Sequence, residues 1–207
     1  MRHSPRGLYL HTKTDVPVSR GLGSSATCIV GGLVGANALC GSPLSEGELF
    51  DMAVAMEGHP DNIAPAFFGG LVCAIGENGR NDYIKKPVAD CFAFHLIVPD
   101  FELSTKEARA ALPDQIDRAD GVFNVARATM TYLALTEGRP DVLKHSMADK
   151  LHQPYRKHLI RSYDAVCQAA KSYGALGVCI SGAGPTLLAI TPKSQLEIGR
   201  ASCRERV

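Results

Sequence analysis

The chain of 207 residues lacks tryptophan, and aromatic residues make up only 6% of it. It also lacks an excess of charge of either sign: 22 Lys and Arg face 21 Asp and Glu, for a formal net charge of +1. That balance sets up no field for nucleic acid or anionic lipid, so neither is expected as a partner. No CxxC pair occurs among the seven cysteines, at 28, 40, 73, 91, 167, 179 and 203. Most stand in apolar runs such as ATCIVGG and GVCISG, which predicts buried thiols packing as small hydrophobes in a reducing, cytoplasmic setting. The opening MRHSPRGLYLHTK has no apolar h-region, so no signal peptide is expected. Charge is missing altogether between Arg20 and Glu46. The apolar part of that run, Ala26 to Cys40, has about fifteen residues against the roughly twenty a bilayer needs. Interrupted by Gly31, Gly32, Gly35 and Asn37, it predicts a buried helix of a water-soluble fold and no membrane span.

What is present is a mixture of strand and helix patterns. LYLHTKTDVPVS alternates as a half-exposed strand over about 7–16. A glycine loop and the helix of about 24–40 follow. PLSEGELFDMAVAMEG predicts a second helix, with Ser45 and Glu48 as a capping box, Leu44 and Leu49 as a staple, and Leu49, Met52, Ala53 and Met56 as its apolar face. HPDN breaks that helix, and IAPAFFGG gives a short helical piece. LVCAIGENGRNDYIKK reads as a hairpin around Asn78-Gly79. After Pro87 come a strand (CFAFHLIVP), a capped helix (STKEARAAL), two or three more helices to about 173, and the strands LGVCI and TLLAI. The fold class is α+β, split near residue 88, with 1–88 and 89–196 as two domains.

The loop GLGSSAT, Gly21 to Thr27, invites phosphate, yet no lysine follows it, which excludes a Walker A loop. A dinucleotide fingerprint would fit G-x-G-x-x-A but requires an almost continuously apolar first strand, which LYLHTKTDV is not. The remaining reading uses the helix: its first amides are unpaired and its dipole adds about half a positive charge. Glycines let phosphate oxygens approach those amides. A capped helix with Ser24 or Ser25 as N-cap is equally compatible with the pattern. Glu57 falls at a helix C-terminus, where the dipole disfavours an anion and a carboxylate calls for a cation. Mg²⁺ prefers carboxylate, hydroxyl and phosphate oxygens. In GHPDN, Pro60 forces His59 toward an extended conformation, which suits a substrate contact, and Asp61 is placed to cap the next helix. Ser181 to Pro185, in GVCISGAGPTLLAI, is longer than a strand turn needs. It is either a plain turn or a loop packed near a ligand.

Together, PVSRGLGSSAT, EGHPDNIAPAFFGG and ISGAGPT, in this order, resemble the GHMP small-molecule kinases, and STKEARAALP and QPYRKHLI extend the resemblance over residues 7–195. The resemblance implies a ribosomal-S5-like N-terminal domain and a ferredoxin-like C-terminal one, both incomplete. It implies ATP bound by Pro17, Val18, Ser19, Arg20, Gly21, Leu22, Gly23, Ser24, Ser25, Ala26 and Thr27. Mg²⁺ would be held by Ser25 and Glu57 in place of the missing lysine. His59, Arg109, Arg156, Gly182 and Gly184 would contact an amino-acid substrate, L-homoserine. Glu57, Asp61 and Asn62 would be catalytic, with Asp61 and Asn62 near the reacting hydroxyl and no assured general base. Read alone, Arg109 and Arg156 are surface arginines. Another member of the family, or a nucleotide-binding module without turnover, is the alternative. A homodimer of the full-length parent is a further expectation.

Both ends look unnatural. The strand at 7–16 has no upstream partner, which suggests an internal fragment. EIGRASCRERV, 197–207, is basic and aperiodic and resembles translated sequencing adaptor, a non-native tail.

Overall fold

A computed structural model describes residues 7–77 and 79–195. Two compact units emerge: one comprises Gly23–Lys86 with the segment before Ser19, the other Ser19–Leu22 with the chain from Pro87 onward.

The first unit holds α1 (Ser24–Leu39), α2 (Glu46–Glu57), α3 (Pro60–Phe68) and a hairpin of β1 (Leu71–Glu77) and β2 (Arg80–Lys86). The α2 capping box forms, with Ser45 accepting from the Glu48 amide and Glu48 accepting from the Ser45 amide. The buried face of α2 is Leu49, Phe50, Ala53 and Val54, whereas Met52 and Met56 are 43% and 63% exposed. The buried stripe is thus rotated from the expected one, because Phe50 and not Met52 meets the aromatic cluster. Its ring lies 5.1 Å from Phe68, which in turn stacks on Tyr83 at 4.0 Å. The hairpin pairs Leu71 with Lys86 through Glu77 with Arg80, in keeping with the Asn-Gly signal.

Two expectations fail here. Residues 7–16 form no strand and lie exposed apart from half-buried Val16. Alternation makes a strand only where a neighbour completes the ladder, and no described strand runs beside them. Helix α1 is not buried either, since only Ala26 is, while Ile29, Val30 and Leu33 are partly covered. Its remaining apolar surface, including Val34 and Leu39, has no cover among the described residues.

The second unit contains β3 (Phe92–Ile97), α4 (Thr105–Ala110), α5 (Arg118–Glu137), α6 (Pro140–Ser146), α7 (Gln153–Arg156), α8 (Tyr163–Ser172), β4 (Gly177–Ile180) and β5 (Leu187–Pro192). The sheet order is β3-β5-β4, with β5 antiparallel to both neighbours. Strands β3 and β4 thus run parallel with β5 between them, a split β-α-β arrangement in a mixed α+β fold. The core joins Val178, Ile180, Leu187 and Ala189 of the sheet to Ile160, with Val166 and Ala170 of α8 packed against it. Burying such aliphatic side chains stabilises by about 1.5–3 kcal/mol each. Helix α4 starts on a second capping box, Ser104 with Glu107.

The six described cysteines are free. Contrary to the sequence reading, Cys28, Cys40, Cys73 and Cys91 are exposed, because they face sides of α1, β1 and the β3 approach that the described chain leaves open. Cys179 comes nearest to the expected buried thiol: burial pushes it up to about 11, so it stays protonated. Among the described residues no helix is long and apolar enough to cross a membrane. The 197–207 stretch lies outside the described residues.

Candidate active site

The first unit assembles its half of the candidate residues around the start of α1. Gly23 is the N-cap of α1, in the left-handed region at φ 71, with no side-chain cap hydrogen bond. Ser24 and Ser25 are consequently the first helical residues and neither is the cap. A serine cap would occupy one of the free amides; a glycine leaves them available, and no acidic residue stands in the first turn. Asn62 Oδ1 lies 3.7 Å from where a Cβ on Gly23 would stand, so α3 borders the loop.

Ser25 Oγ donates to Glu57 Oε2 at 3.0 Å, across 32 residues of sequence. Glu57 is the last residue of α2, as expected, and Gly58 ends that helix at φ 92. A hydroxyl and a carboxylate converging beside free helix amides fit a hard divalent cation. Among the described residues no cluster of three or more His, Cys, Asp or Glu accompanies them. The rest of the shell would come from phosphate and water, the usual state for Mg²⁺.

His59 is extended, at φ −157 and ψ 149, which follows from Pro60 as the first residue of α3. His59 Nδ1 and Asp61 Oδ1 share a hydrogen bond of 2.5 Å. Asp61 is not the cap of α3. It sits in the first turn, where Oδ1 also accepts from the Asn62 amide at 2.8 Å. A carboxylate there opposes the positive end of the helix dipole, which explains its preference for that place without a cap. Pro17 and Val18 are exposed and precede the loop; Ala26 is buried in the core and Thr27 is exposed.

The second unit takes the middle of the same loop. Ser19 O accepts from the Leu103 amide at 3.4 Å, and Arg20 O accepts from the Thr186 amide at 3.3 Å. Ser181 Oγ donates to Gly21 O at 2.8 Å. The Arg20 guanidinium donates to Asp100 O at 3.2 Å and lies 3.8 Å from Glu102 Oε1, with its side chain 16% exposed. Gly21 stands at φ 72, and a Cβ there would overlap Ser181 O and lie 2.7 Å from Gly184 O. No other residue fits. A Cβ on Gly182 would in turn stand 3.3 Å from Gly21 O, so its lack of a side chain permits close backbone approach to the chain's own Gly21, whereas one on Gly184 would press on Ile180, Ile160 and Leu103.

Arg109 closes the last turn of α4, and Arg156 is the last residue of α7. Arg156 Nε donates to Ala108 O at 2.9 Å and Nη1 to Gly182 O at 3.3 Å. Burial, then the nearby Arg109 charge, lowers the Arg156 pKa from its ordinary value. Two guanidiniums that repel each other this way are neutralised best by a shared anion, and the planar fork of each suits a carboxylate. The bond from Ser181, in the loop singled out above, to Gly21 and the Asp149 network around α7 were missed by sequence reasoning. A signal for Asp149 existed: an Asp side chain can accept from the backbone amide two residues on, as Asp149 does from Leu151.

Helix amides beside a hydroxyl–carboxylate couple suit a phosphate with a hard cation, and, separately, paired guanidiniums suit a carboxylate. The sequence matches the family models "GHMP kinases N terminal domain" over residues 1–70 and "GHMP kinases C terminal" over residues 132–206. The second match runs into the stretch set aside above as a tail. The chain is 53% identical over 176 residues to homoserine kinase of Clostridium botulinum (strain Eklund 17B / Type B), covering 85% of this chain and 59% of that protein. Homoserine kinase of the Kyoto / Type A2 strain is 47% identical over 186 residues, covering 90% and 63% respectively. The crystal structure of homoserine kinase from Cytophaga hutchinsonii superposes with a TM-score of 0.82 at 33% identity, covering 91% of this chain and 62% of that one. At 20% identity, mevalonate kinase of L. major (TM-score 0.65, covering 89% and 61%) shares the fold. The chain belongs to the GHMP kinases. It spans about 60% of the length of the curated relatives it matches.

Proposed function

We propose that the full-length protein containing this chain is a homoserine kinase: it transfers the γ-phosphoryl group of ATP to the side-chain hydroxyl of L-homoserine, giving O-phospho-L-homoserine in threonine biosynthesis. The observation that carries this reading is the 3.0 Å contact of Ser25 with Glu57 beside an uncapped α1, in a chain about half identical to named homoserine kinases.

On this reading the amides of Ser24, Ser25 and Ala26 bind the phosphates of ATP, and the helix dipole favours their charge. Pro17, Val18, Ser19, Arg20, Gly21, Leu22, Gly23 and Thr27 shape the loop that delivers them. Mg²⁺, held by Ser25 and Glu57, would neutralise charge building on the phosphates. Arg109 and Arg156 grip the substrate carboxylate while His59, fixed by Asp61, contacts its amino-acid group. Gly182 and Gly184 line the same substrate. Asp61 and Asn62 orient the acceptor hydroxyl. Positioning and charge neutralisation dominate such a transfer, so no strongly perturbed base is required. Residues 1–88 and 89–196 then represent parts of the two kinase domains, with 197–207 as a non-native tail. The enzyme is read as cytoplasmic and the full-length parent as a homodimer.

The test is turnover of the full-length parent with ATP, Mg²⁺ and a panel of hydroxy amino acids. Phosphorylation of homoserine ahead of all others supports the reading. Nucleotide binding without turnover, or preference for an acceptor without a carboxylate, overturns it.

A further inference from the structure

Helix α7 is a single turn of four residues, and His152 at its N-cap makes no side-chain cap hydrogen bond. So short a helix does not hold itself together in water. Yet it must fix Arg156, its last residue, whose guanidinium already spans Ala108 O and Gly182 O. The support comes from one carboxylate. Asp149 Oδ2 accepts from the His152 amide at 2.9 Å and the Gln153 amide at 2.6 Å. Its Oδ1 accepts from the Leu151 amide at 3.1 Å and from Asn124 Nδ2 of α5 at 2.6 Å. Asn124 Oδ1 closes the circuit by accepting from the Lys150 amide at 2.9 Å. The Asp149 side chain is 9% exposed, so these bonds are shielded from water. Gln153, 8% exposed, continues the chain of support: its Oε1 accepts from the Ile180 amide at 2.9 Å and from Tyr163 Oη at 3.3 Å.

We infer that Asp149, braced by Asn124, is the positioning residue for Arg156, and thereby sets affinity for the carboxylate of the acceptor substrate without touching it. The inference rests on the reading of Arg156 as a carboxylate-binding residue. The amides that Asp149 collects come from consecutive residues, a geometry that neutral side chains cannot satisfy with both oxygens. An asparagine at position 149 would keep one accepting oxygen and turn an NH₂ group toward the Asn124 NH₂. Exchanging the two residues, Asn124→Asp with Asp149→Asn, restores donor to acceptor across the pair. The carboxylate, moved to position 124, would accept from the side-chain NH₂ at position 149 and from the Lys150 amide.

The experiment compares steady-state kinetics of the full-length parent and four variants, with ATP and homoserine varied separately. Asp149→Asn is expected to raise the KM for homoserine about tenfold, with the KM for ATP changed less than about twofold. Asn124→Ala, which removes one brace and leaves the carboxylate, is expected to act in the same direction to a smaller extent. The exchange variant is expected to recover part of the Asp149→Asn loss, short of the parent because the Leu151 amide loses its acceptor, a coupling that a merely destabilised fold does not produce. Arg156→Ala separates the two ideas. If it leaves the homoserine KM unchanged, the reading of Arg156 falls. If it raises that KM while Asp149→Asn does not, only the positioning role falls. Equal rises in both KM values, or an exchange variant no better than Asp149→Asn, also overturn the positioning role. Should Asp149→Asn not fold, Asn124→Ala and the exchange variant decide by the same criteria.

Discussion

The two units handle charge by opposite means. In the first, attraction for an anion comes from backbone: an uncapped α1 with Gly23 at its N-cap and no acidic residue in its first turn. In the second it comes from side chains, Arg109 and Arg156, each on a helix of six residues or fewer. Backbone amides are fixed by the helix that bears them and need little further support. A guanidinium on a one-turn helix needs an external frame, and Asp149, Asn124 and Gln153 supply it. The lesson is that a weakly self-supporting element can carry a precise contact when buried hydrogen bonds replace helical length.

The sharpest way to break the comparison is at the backbone side. Glu57→Gln in the full-length parent keeps the shape beside Ser25 and removes the anionic oxygen that a hard cation needs. Turnover is expected to fall by about a hundredfold or more with circular dichroism unchanged. Near-normal turnover would remove Glu57 from the reaction.

Next in size is Gly21→Ala. The methyl group would overlap Ser181 O, and φ 72 places an L-residue in a region costing about 1–2 kcal/mol by itself. Because the obstacles are backbone atoms, the loop must move, and both melting temperature and ATP affinity are expected to drop. An alanine variant with unaltered ATP affinity would show that residues 19–22 tolerate displacement.

The backbone side was also the side legible in the sequence. GLGSSAT, its following helix, Glu57 at a helix end and the extended His59 all lie within a continuous pattern that capping and proline rules can read. Both capping boxes formed where Ser45 and Ser104 announced them. What sequence could not reveal depends on partners far along the chain. Whether α1 is covered, whether 7–16 finds a ladder and which side of α2 meets Phe68 are tertiary facts that periodicity cannot encode. The same holds for Gly21, whose need for glycine comes from Ser181, 160 residues away. Asp149 gave a local signal, but its meaning required Asn124 on another helix.

A smaller effect tests the caps themselves. Ser45→Ala removes the acceptor for the Glu48 amide and is expected to cost about 1 kcal/mol in denaturant unfolding, with kinetics unchanged. A loss of ATP affinity in that variant would tie the position of Glu57 to the far end of α2, eleven residues before it in the helix.

The smallest expected effect concerns the frame around Arg156 and is read as a pH dependence. Burial lowers the pKa of His152 from its ordinary 6.5; Asp149 opposes the shift and Arg156 reinforces it. The unfolded chain therefore binds a proton at this position at higher pH than the folded one does. Stability from His152 is fully present above the unfolded value and is lost as pH falls through 6.5 toward the lower folded value. Unfolding midpoints should decline over that interval, and His152→Gln should flatten the decline. Asp149 carries the opposite balance of causes: burial pushes its carboxyl up, but Asn124 and the Gln153 and His152 amides outweigh that and hold it below 3.8. Its negative charge therefore faces His152 as pH falls through 6.5. Asp149→Asn removes the one contribution that favours the imidazolium, so the His152 resonance followed by NMR should titrate lower still than in the parent. A His152 titrating at or above 6.5 would mean that burial does not govern this ring and that the frame is wetter than its geometry indicates, and an upward move in Asp149→Asn would mean that Asp149 does not favour its imidazolium.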